Sequence, residues 1–273
     1  MKARIERKKI LTAILLIPPL IGLIAWGPPL LFALMVFATI GVGLLEFHKL
    51  ALGQMTLLQR WVGIGAGCLF SLAFVYGQGE RFPFFLASML ILLCLFYLVS
   101  VNHLPTVISQ MGITLLGIFY VGFLLSHIIL IRNRAGGELW VLFLVLAIWA
   151  GDICALFGGT LFGRHKLYPR ISPNKTYEGF LSAILGSVAI GGAFVSLFLP
   201  QLPLGKALLM AIGLGILGQL GDLTESMLKR SAQVKDSGGL FPGHGGVLDR
   251  IDSFLFATPF FYYLLPQLVK ETR

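Results

Sequence analysis

The sequence predicts an all-α protein that crosses a membrane with about nine helices. Hydrophobic residues make up 57% of the chain and charged residues 12%, which is about half of the charged share of a soluble globular protein. The apolar residues form runs separated by charged residues or by Pro and Gly, as membrane-spanning helices require. No linker or low-complexity tract divides the chain, so we predict a single membrane domain over residues 1 to 273.

The predicted spans follow from run length, because a helix needs about 20 apolar residues to cross the hydrocarbon core. They cover residues 10 to 26, 29 to 47, 61 to 77, 83 to 101, 106 to 131, 139 to 161, 178 to 199, 205 to 228 and 252 to 269. The basic start followed by an apolar run resembles a signal peptide, but no A-x-A cleavage site follows it. We therefore expect a retained first helix.

The basic residues predict a multi-pass protein of the inner (plasma) membrane with a cytoplasmic N-terminus and an external C-terminus. With nine spans, 15 of the 21 Lys and Arg residues fall on the cytoplasmic side, as the positive-inside rule expects. The other six are Arg81, Arg132, Arg134, Lys206, Lys270 and Arg273. Topology thus accounts for the net charge of +9, and nucleic acid is not an expected partner because no soluble basic module is present.

Polar residues are distributed unevenly between the two halves of the domain. Residues 1 to 135 are nearly featureless, so we expect a scaffold there that contacts lipid or a second subunit, and a homodimer is left open. Glu46, His48 and Lys49 are expected to form only an interfacial rim at the cytoplasmic end of the second span. Ionisable residues gather between Asp152 and Asp252, so residues 136 to 273 are predicted to be the catalytic half.

An acidic stripe ends the eighth predicted span. Asp222, Glu225, Ser226 and Lys229 have helical offsets of 0, 3, 4 and 7 and share one face of a helix. A charge within the membrane costs about 2.5 to 3.5 kcal/mol, so such a stripe needs a partner or a cavity. Salt bridges within the helix are the simpler interpretation. Asp152, inside the sixth span, is an isolated carboxylate and a functional candidate by the same principle.

Two further segments suit phosphate groups. The loop from Lys235 to Ser253 contains five glycines and His244, and glycine-rich backbone can approach phosphates and offer N–H groups. A flexible loop is the alternative. Lys175 precedes the seventh span, where a helix N-terminus favours anions, although an ordinary cap with an extended Lys side chain is also consistent.

Carboxylates combined with Lys and Arg are what phosphoryl or nucleotidyl transfer requires. Mg²⁺ prefers oxygen ligands and commonly takes one or two carboxylates plus substrate phosphates. A second cation, which is left open, would help to clamp the attacking and leaving oxygens. Cationic side chains would neutralise the phosphates.

Three motifs resemble the signature of the phosphatidate cytidylyltransferase family. They are Ser226-Met-Leu-Lys-Arg230, Lys235-Asp236 and Pro242-Gly-His-Gly-Gly-Val-Leu-Asp-Arg-Ile-Asp252. Similar features include Asp152, Phe162-Gly-Arg-His-Lys166 and Ser172-Pro-Asn-Lys-Thr176. Residues 1 to 130 resemble the family only in hydropathy.

The resemblance implies that CTP and phosphatidic acid are converted to CDP-diacylglycerol and pyrophosphate with Mg²⁺, within the lipid membrane. We expect direct attack of phosphatidate on the α phosphorus, with no protein nucleophile. The predicted catalytic residues are Asp222, Lys229 and Asp249. The predicted substrate-binding residues are Lys175, Ser226, Arg230, Lys235, Asp236, His244 and Arg250. The predicted metal ligands are Asp222 and Asp249 first, then Asp152, Glu225 and Asp252.

Two other functions remain open at the level of the sequence. A CTP-dependent polyprenol or phytol kinase would also combine apolar spans with nucleotide phosphate sites. An ion-coupled transporter would use the intramembrane Asp152 and Asp222 for ions or protons.

Overall fold

The computed structural model describes residues 17–50, 55–77, 82–100, 103–240 and 245–268. These ranges contain nine helices and one β-hairpin. The helices are α1 (Ile17–Trp26), α2 (Pro29–Leu50), α3 (Leu57–Tyr76), α4 (Phe82–Ser100), α5 (Leu104–Arg132), α6 (Gly137–Phe162), α7 (Tyr177–Phe198), α8 (Leu204–Ser231) and α9 (Leu248–Leu268). The hairpin strands are β1 (Lys166–Tyr168) and β2 (Ser172–Thr176).

The helices confirm the predicted multi-pass membrane architecture. Seven of them, α2 to α8, are long and apolar enough to cross a membrane. The described part of α1 is shorter than a span, and α9 carries Asp249, Arg250 and Asp252 in its first turns. Each of the nine predicted spans thus corresponds to a helix among the described residues. Of these, α1 and α9 are not among the helices that are long and apolar enough to cross a membrane.

The β-hairpin between α6 and α7 was not predicted. Its strands are antiparallel, with Lys166 opposite Thr176 and Tyr168 opposite Ser172. Thr176 ends β2 and caps α7, because its hydroxyl accepts a hydrogen bond of 3.1 Å from the N–H of Gly179. The sequence predicted a basic loop here, since strands of three and five residues are too short for a period-two pattern to be recognised.

Helices α6 to α9 pack together as the C-terminal group, and α9 also contacts α2 and α5. Gly221 allows the close approach of α8 and α9, because any side chain there would meet the backbone carbonyl of Asp252. Ser187 of α7 donates a hydrogen bond of 2.8 Å to the carbonyl of Ala147 on α6. Small residues at helix contacts are typical of membrane bundles.

The outer surface is apolar, as contact with lipid requires. Helix α4 has only Met89, Leu93 and Tyr97 buried, while Leu98 and Val99 are exposed. This helix therefore borders the hydrocarbon on most of its circumference, which agrees with a protein dissolved in a bilayer.

The two ends of the bundle differ in the residues they assemble. One end brings together the last turns of α2 and α8, the first turns of α7 and α9, and the hairpin, as their side-chain contacts show. At the opposite end, Arg132 donates to the carbonyl of Gly27 at 3.0 Å and to Glu138 at 3.3 Å. The predicted site residues described here lie toward the first end.

Candidate active site

Lys175 links the start of α7 to the acidic stripe on α8. Its ammonium lies 2.9 Å from Asp222 Oδ2 and donates to the carbonyl of Gln219 at 3.3 Å. The hydroxyl of Ser226 donates to the other oxygen of Asp222 at 3.3 Å. Lys175 reaches α8 because it stands at the end of β2, immediately before the Thr176 cap of α7. The structure therefore joins a predicted phosphate-binding residue to a predicted metal ligand.

Lys229 lies between two carboxylates. It forms an ion pair with Glu225 one turn earlier on α8 and donates to Asp249 Oδ1 on α9 at 2.6 Å. Glu225 is fully buried, and its Oε1 has no hydrogen-bond partner among the described residues. The salt bridge considered for this helix is thus present for Glu225, whereas Asp222 pairs with Lys175.

Asp249 anchors the glycine-rich loop. Its Oδ2 accepts hydrogen bonds from Ser237 N at 3.0 Å, Ser237 Oγ at 2.9 Å and Gly246 N at 2.7 Å. With Lys229 on Oδ1, both oxygens of the carboxylate are engaged. Hydrogen bonds to a charged acceptor contribute about 1.5 to 3 kcal/mol each. Asp249 therefore holds the loop, α8 and α9 together.

Asp152 and Asp252 complete the acidic region. The Asp152 side chain accepts from Gln219 Nε2 at 2.9 Å and from Ser253 Oγ at 3.3 Å, so it has partners that its sequence neighbourhood does not reveal. Asp252 lies beside Asp222, because its backbone carbonyl packs against Gly221. Helices α6, α8 and α9 thus bring their carboxylates toward one another in a buried region, where like charges need a compensating cation.

The composition of this region fits a hard cation. All predicted ligands are carboxylates, and lysine ammonium groups already contact Asp222, Glu225 and Asp249. In the part of the chain that the structure describes, no three His, Cys, Asp or Glu residues form a closed metal cage. Mg²⁺ does not need one, because it commonly combines one or two carboxylates with water and substrate phosphates.

The remaining predicted substrate-binding residues lie near the same end of the bundle. Arg230 donates to the carbonyls of Ile171 at 3.3 Å and Val234 at 3.2 Å, and so ties α8 to the hairpin. Three others are exposed to solvent, namely Lys235, Asp236 and Arg250. His244 lies outside the described residues.

Glu46 and His48 differ from the expected interfacial rim. Glu46 is 4% exposed and His48 is 1% exposed. Glu46 accepts from Ser237 Oγ at 3.2 Å and from Leu248 N at 2.8 Å, so it contacts the loop that Asp249 anchors. The expectation failed because a Glu at the end of an apolar span looks the same whether it faces water or another helix.

Gln219 and Ser253 were also missed as partners of Asp152. A signal existed for Gln219, which lies three residues before Asp222 and therefore on the same helix face. Ser253 follows Asp252 and presented no comparable pattern.

Tyr120 is a further polar residue that the sequence did not indicate. It lies in a π-helical turn of α5, Ile118–Phe123, a feature that is frequent at functional sites. Its side chain is 5% exposed, and its hydroxyl has no hydrogen-bond partner among the described residues. Its ring packs against Phe256 of α9, with 6.3 Å between the ring centroids. Helix α5 thus places a buried hydroxyl group beside α9, the helix that carries Asp249 and Asp252.

A cleft of about 500 Å³ lies beside the hairpin, at the end of α6. Its lining includes Leu161, Phe162 and Arg164, together with His165 and Glu178, whose side chains pair at 2.6 Å. The lining thus combines two apolar side chains with the cationic Arg164 and the His165–Glu178 pair. The carboxylates of the acidic region on α6, α8 and α9 are not part of this lining.

The chain is similar in sequence to known proteins over most of its length. Residues 7–268 match the cytidylyltransferase family. A phosphatidate cytidylyltransferase of Bacillus subtilis (strain 168) is 36% identical over 263 residues, which cover 95% of this chain and 97% of the relative. Proteins of the same name from Staphylococcus saprophyticus and Staphylococcus haemolyticus are 43% and 44% identical over 154 and 156 residues, covering 56% of this chain and 58% of each relative.

Proposed function

The chain belongs to the cytidylyltransferase family, and we propose that it converts CTP and phosphatidic acid to CDP-diacylglycerol and pyrophosphate. The observation that carries this proposal is the alternation of carboxylates and lysines at one end of a membrane bundle. Lys175, Lys229 and Arg230 supply positive charge there, and Asp222 and Asp249 supply oxygen ligands. The relatives' names supply the identity of the nucleotide and of the lipid.

We assign Asp222 and Asp249 as the first ligands for Mg²⁺, with Asp152, Glu225 and Asp252 around them. The bound ion would neutralise the triphosphate and favour departure of pyrophosphate. Lys175 and Lys229 contact these carboxylates. Both lysines are therefore close enough to exchange a carboxylate partner for a phosphate oxygen as substrate binds.

The transfer itself requires no covalent intermediate with the protein. A phosphatidate oxygen attacks the α phosphorus of CTP, the bond between the α phosphorus and its bridging oxygen to the β phosphorus breaks, and pyrophosphate leaves. The role of the protein is to hold the two anionic substrates in line and to offset their charge. Lys175, Lys229, Arg230, Lys235 and Arg250 would share that task.

The acidic region is proposed to face the cytoplasm, where CTP is available. Support comes from the concentration of basic residues at this end, which includes the hairpin and the end of α8. Phosphatidate would approach from the lipid side, and the cleft beside Arg164 combines the apolar and cationic groups that such a lipid requires.

The test is product analysis with purified protein. Incubation with CTP, phosphatidic acid and Mg²⁺ should yield CDP-diacylglycerol by mass spectrometry together with one equivalent of pyrophosphate. Removal of divalent cations with EDTA should stop the reaction, and added Mg²⁺ should restore it. Lipid-free enzyme should not exchange labelled pyrophosphate into CTP.

Other outcomes would identify the alternatives. Formation of CDP and a phosphorylated alcohol from an added polyprenol would indicate a kinase. Ion-coupled uptake into vesicles without consumption of CTP would indicate a transporter. Exchange of pyrophosphate without lipid would contradict direct attack, because it requires a cytidylyl group carried by the protein.

A further inference from the structure

Glu46 is a buried carboxylate that the proposed chemistry does not use. It lies near the end of α2 and is 4% exposed. Its hydrogen bonds come from Ser237 Oγ and from Leu248 N, and no Lys or Arg pairs with it among the described residues. Burying a carboxylate without a cation is costly unless other groups stabilise its charge. Its surroundings must therefore compensate.

The start of α9 supplies that compensation. Leu248 is the first residue of this helix, so its N–H has no acceptor within the helix. Glu46 Oε2 accepts it at 2.8 Å, although the two residues are 202 positions apart. An anion at a helix N-terminus is also stabilised by the helix dipole. Glu46 thus acts as a helix cap supplied from another part of the chain.

Two described glycines of the loop, Gly238 and Gly246, lie against the same carboxylate. A side-chain carbon at either Gly238 or Gly246 would overlap the oxygens of Glu46. A larger residue at either position would displace the Glu46 carboxylate, so the described loop residues pack directly against a residue of α2.

A short chain of polar contacts connects Glu46 to Lys229. The Ser237 hydroxyl lies between the carboxylates of Glu46 and Asp249 and shares its one proton between them. Ser237 Oγ lies 3.2 Å from Glu46 Oε2 and 2.9 Å from Asp249 Oδ2. Asp249 in turn accepts from Lys229 at 2.6 Å. Moving the carboxylate of Glu46 would thus affect Ser237 first, then Asp249, and through it the ammonium group expected to contact phosphate.

We propose that Glu46 is a positioning residue for cytidylyl transfer, which fixes the Ser237 segment and the start of α9 so that Asp249 and Lys229 are held in their working arrangement. The N-terminal helices would then contribute to catalysis as well as to the scaffold. This inference rests on the proposed function, because it concerns the same reaction.

The test compares Glu46→Ala, Glu46→Gln and Ser237→Ala with the control Glu138→Gln. Glu138 pairs with Arg132 at the opposite end of the bundle. Rates are measured per folded molecule at saturating CTP and phosphatidate, with the folded fraction taken from thermal unfolding in detergent. Glu46→Ala should lower kcat about 10- to 100-fold, as loss of a partner that orients a ligand typically does. Glu138→Gln should stay within about twofold of the unchanged protein.

Two further readouts separate positioning from general stability. Glu46→Gln, which keeps an acceptor oxygen, should recover part of the activity lost in Glu46→Ala. The double variant Glu46→Ala/Ser237→Ala should be little slower than the slower single variant, since both act on Asp249 along one route. Amide exchange at Gly246 and Leu248 should accelerate in Glu46→Ala.

Several results would overturn the inference. An unchanged kcat per folded molecule in Glu46→Ala would do so. So would a double variant whose loss of kcat equals the product of the losses in the two single variants. If Glu46→Ala does not insert into the membrane, Glu46→Gln replaces it in the single and double variants. In that case, a double variant with Ser237→Ala whose loss of kcat equals the product of the two single losses would also contradict positioning. If the unchanged protein makes no CDP-diacylglycerol, the proposed function fails instead, and the two failures are thus distinguished.

Discussion

The two first-choice metal ligands differ in what surrounds them, and this predicts different effects of the same substitution. Asp222 contacts Lys175 and Ser226, whereas Asp249 binds Lys229, Ser237 and Gly246. Asp222→Asn should lower kcat at least about 100-fold, because it removes an anionic ligand, with little change in thermal stability. Asp249→Asn should lower kcat similarly and also reduce the free energy of unfolding by about 2 kcal/mol.

Turnover assays and thermal unfolding in detergent measure both quantities on the same preparation. Glu138→Gln is a suitable control because its ion pair lies at the other end of the bundle. Near-normal turnover of both Asn variants at saturating Mg²⁺ would show that neither carboxylate is an essential ligand. Equal thermal stability of the two variants would contradict the anchoring role of Asp249.

At the level of secondary structure, the π-helical turn of α5 predicts an unusual combination of effects. The hydroxyl of Tyr120 is buried without a partner among the described residues. Removing an unsatisfied polar group is neutral or stabilising. Tyr120→Phe should therefore keep or raise thermal stability by up to about 1 kcal/mol. If the hydroxyl donates a hydrogen bond to the substrate or to a ligand of a bound cation, kcat of Tyr120→Phe should fall about tenfold. A change of that size corresponds to the loss of one hydrogen bond.

Tyr97 provides the matched control. It is also buried, but its hydroxyl bonds to Thr114 Oγ1 at 2.7 Å and to the carbonyl of Gln110 at 3.2 Å. Tyr97→Phe should lower stability by about 1 kcal/mol and leave kcat unchanged. Tyr120→Phe should thus lower kcat without lowering the unfolding midpoint, whereas Tyr97→Phe should lower the unfolding midpoint without lowering kcat. An unaltered kcat in Tyr120→Phe would show that this residue is not part of the site.

For the whole molecule, the helix order predicts that the hairpin and the turn between α7 and α8 lie on opposite sides of the membrane. Asn174 and Gln201 are exposed in these two places. In a background without Cys68, Cys94 and Cys154, Asn174→Cys should react with an impermeant maleimide only in inverted vesicles. Gln201→Cys should react in intact cells. The reverse pattern would place the acidic region outside the cell and contradict the proposed orientation.

The sequence by itself determined the elements whose signals are local. Run length located a helix for each predicted span, and the basic residues indicated a common end for the hairpin and the end of α8. Helical spacing placed Asp222, Glu225 and Lys229 on one face, and the Glu225–Lys229 pair is present. These predictions succeeded because hydropathy and a period of 3.6 residues depend only on neighbours in the chain.

Only the tertiary structure decided which residues meet across helices. An apolar span looks alike around its circumference, so its rotation and depth relative to other spans are set by packing and not by its own composition. The contact of Glu46 with Leu248, the contact of Tyr120 with Phe256 and the pairing of Lys175 with Asp222 all depend on that packing. The chain's motifs thus identify the polar groups, while helix packing determines their partners.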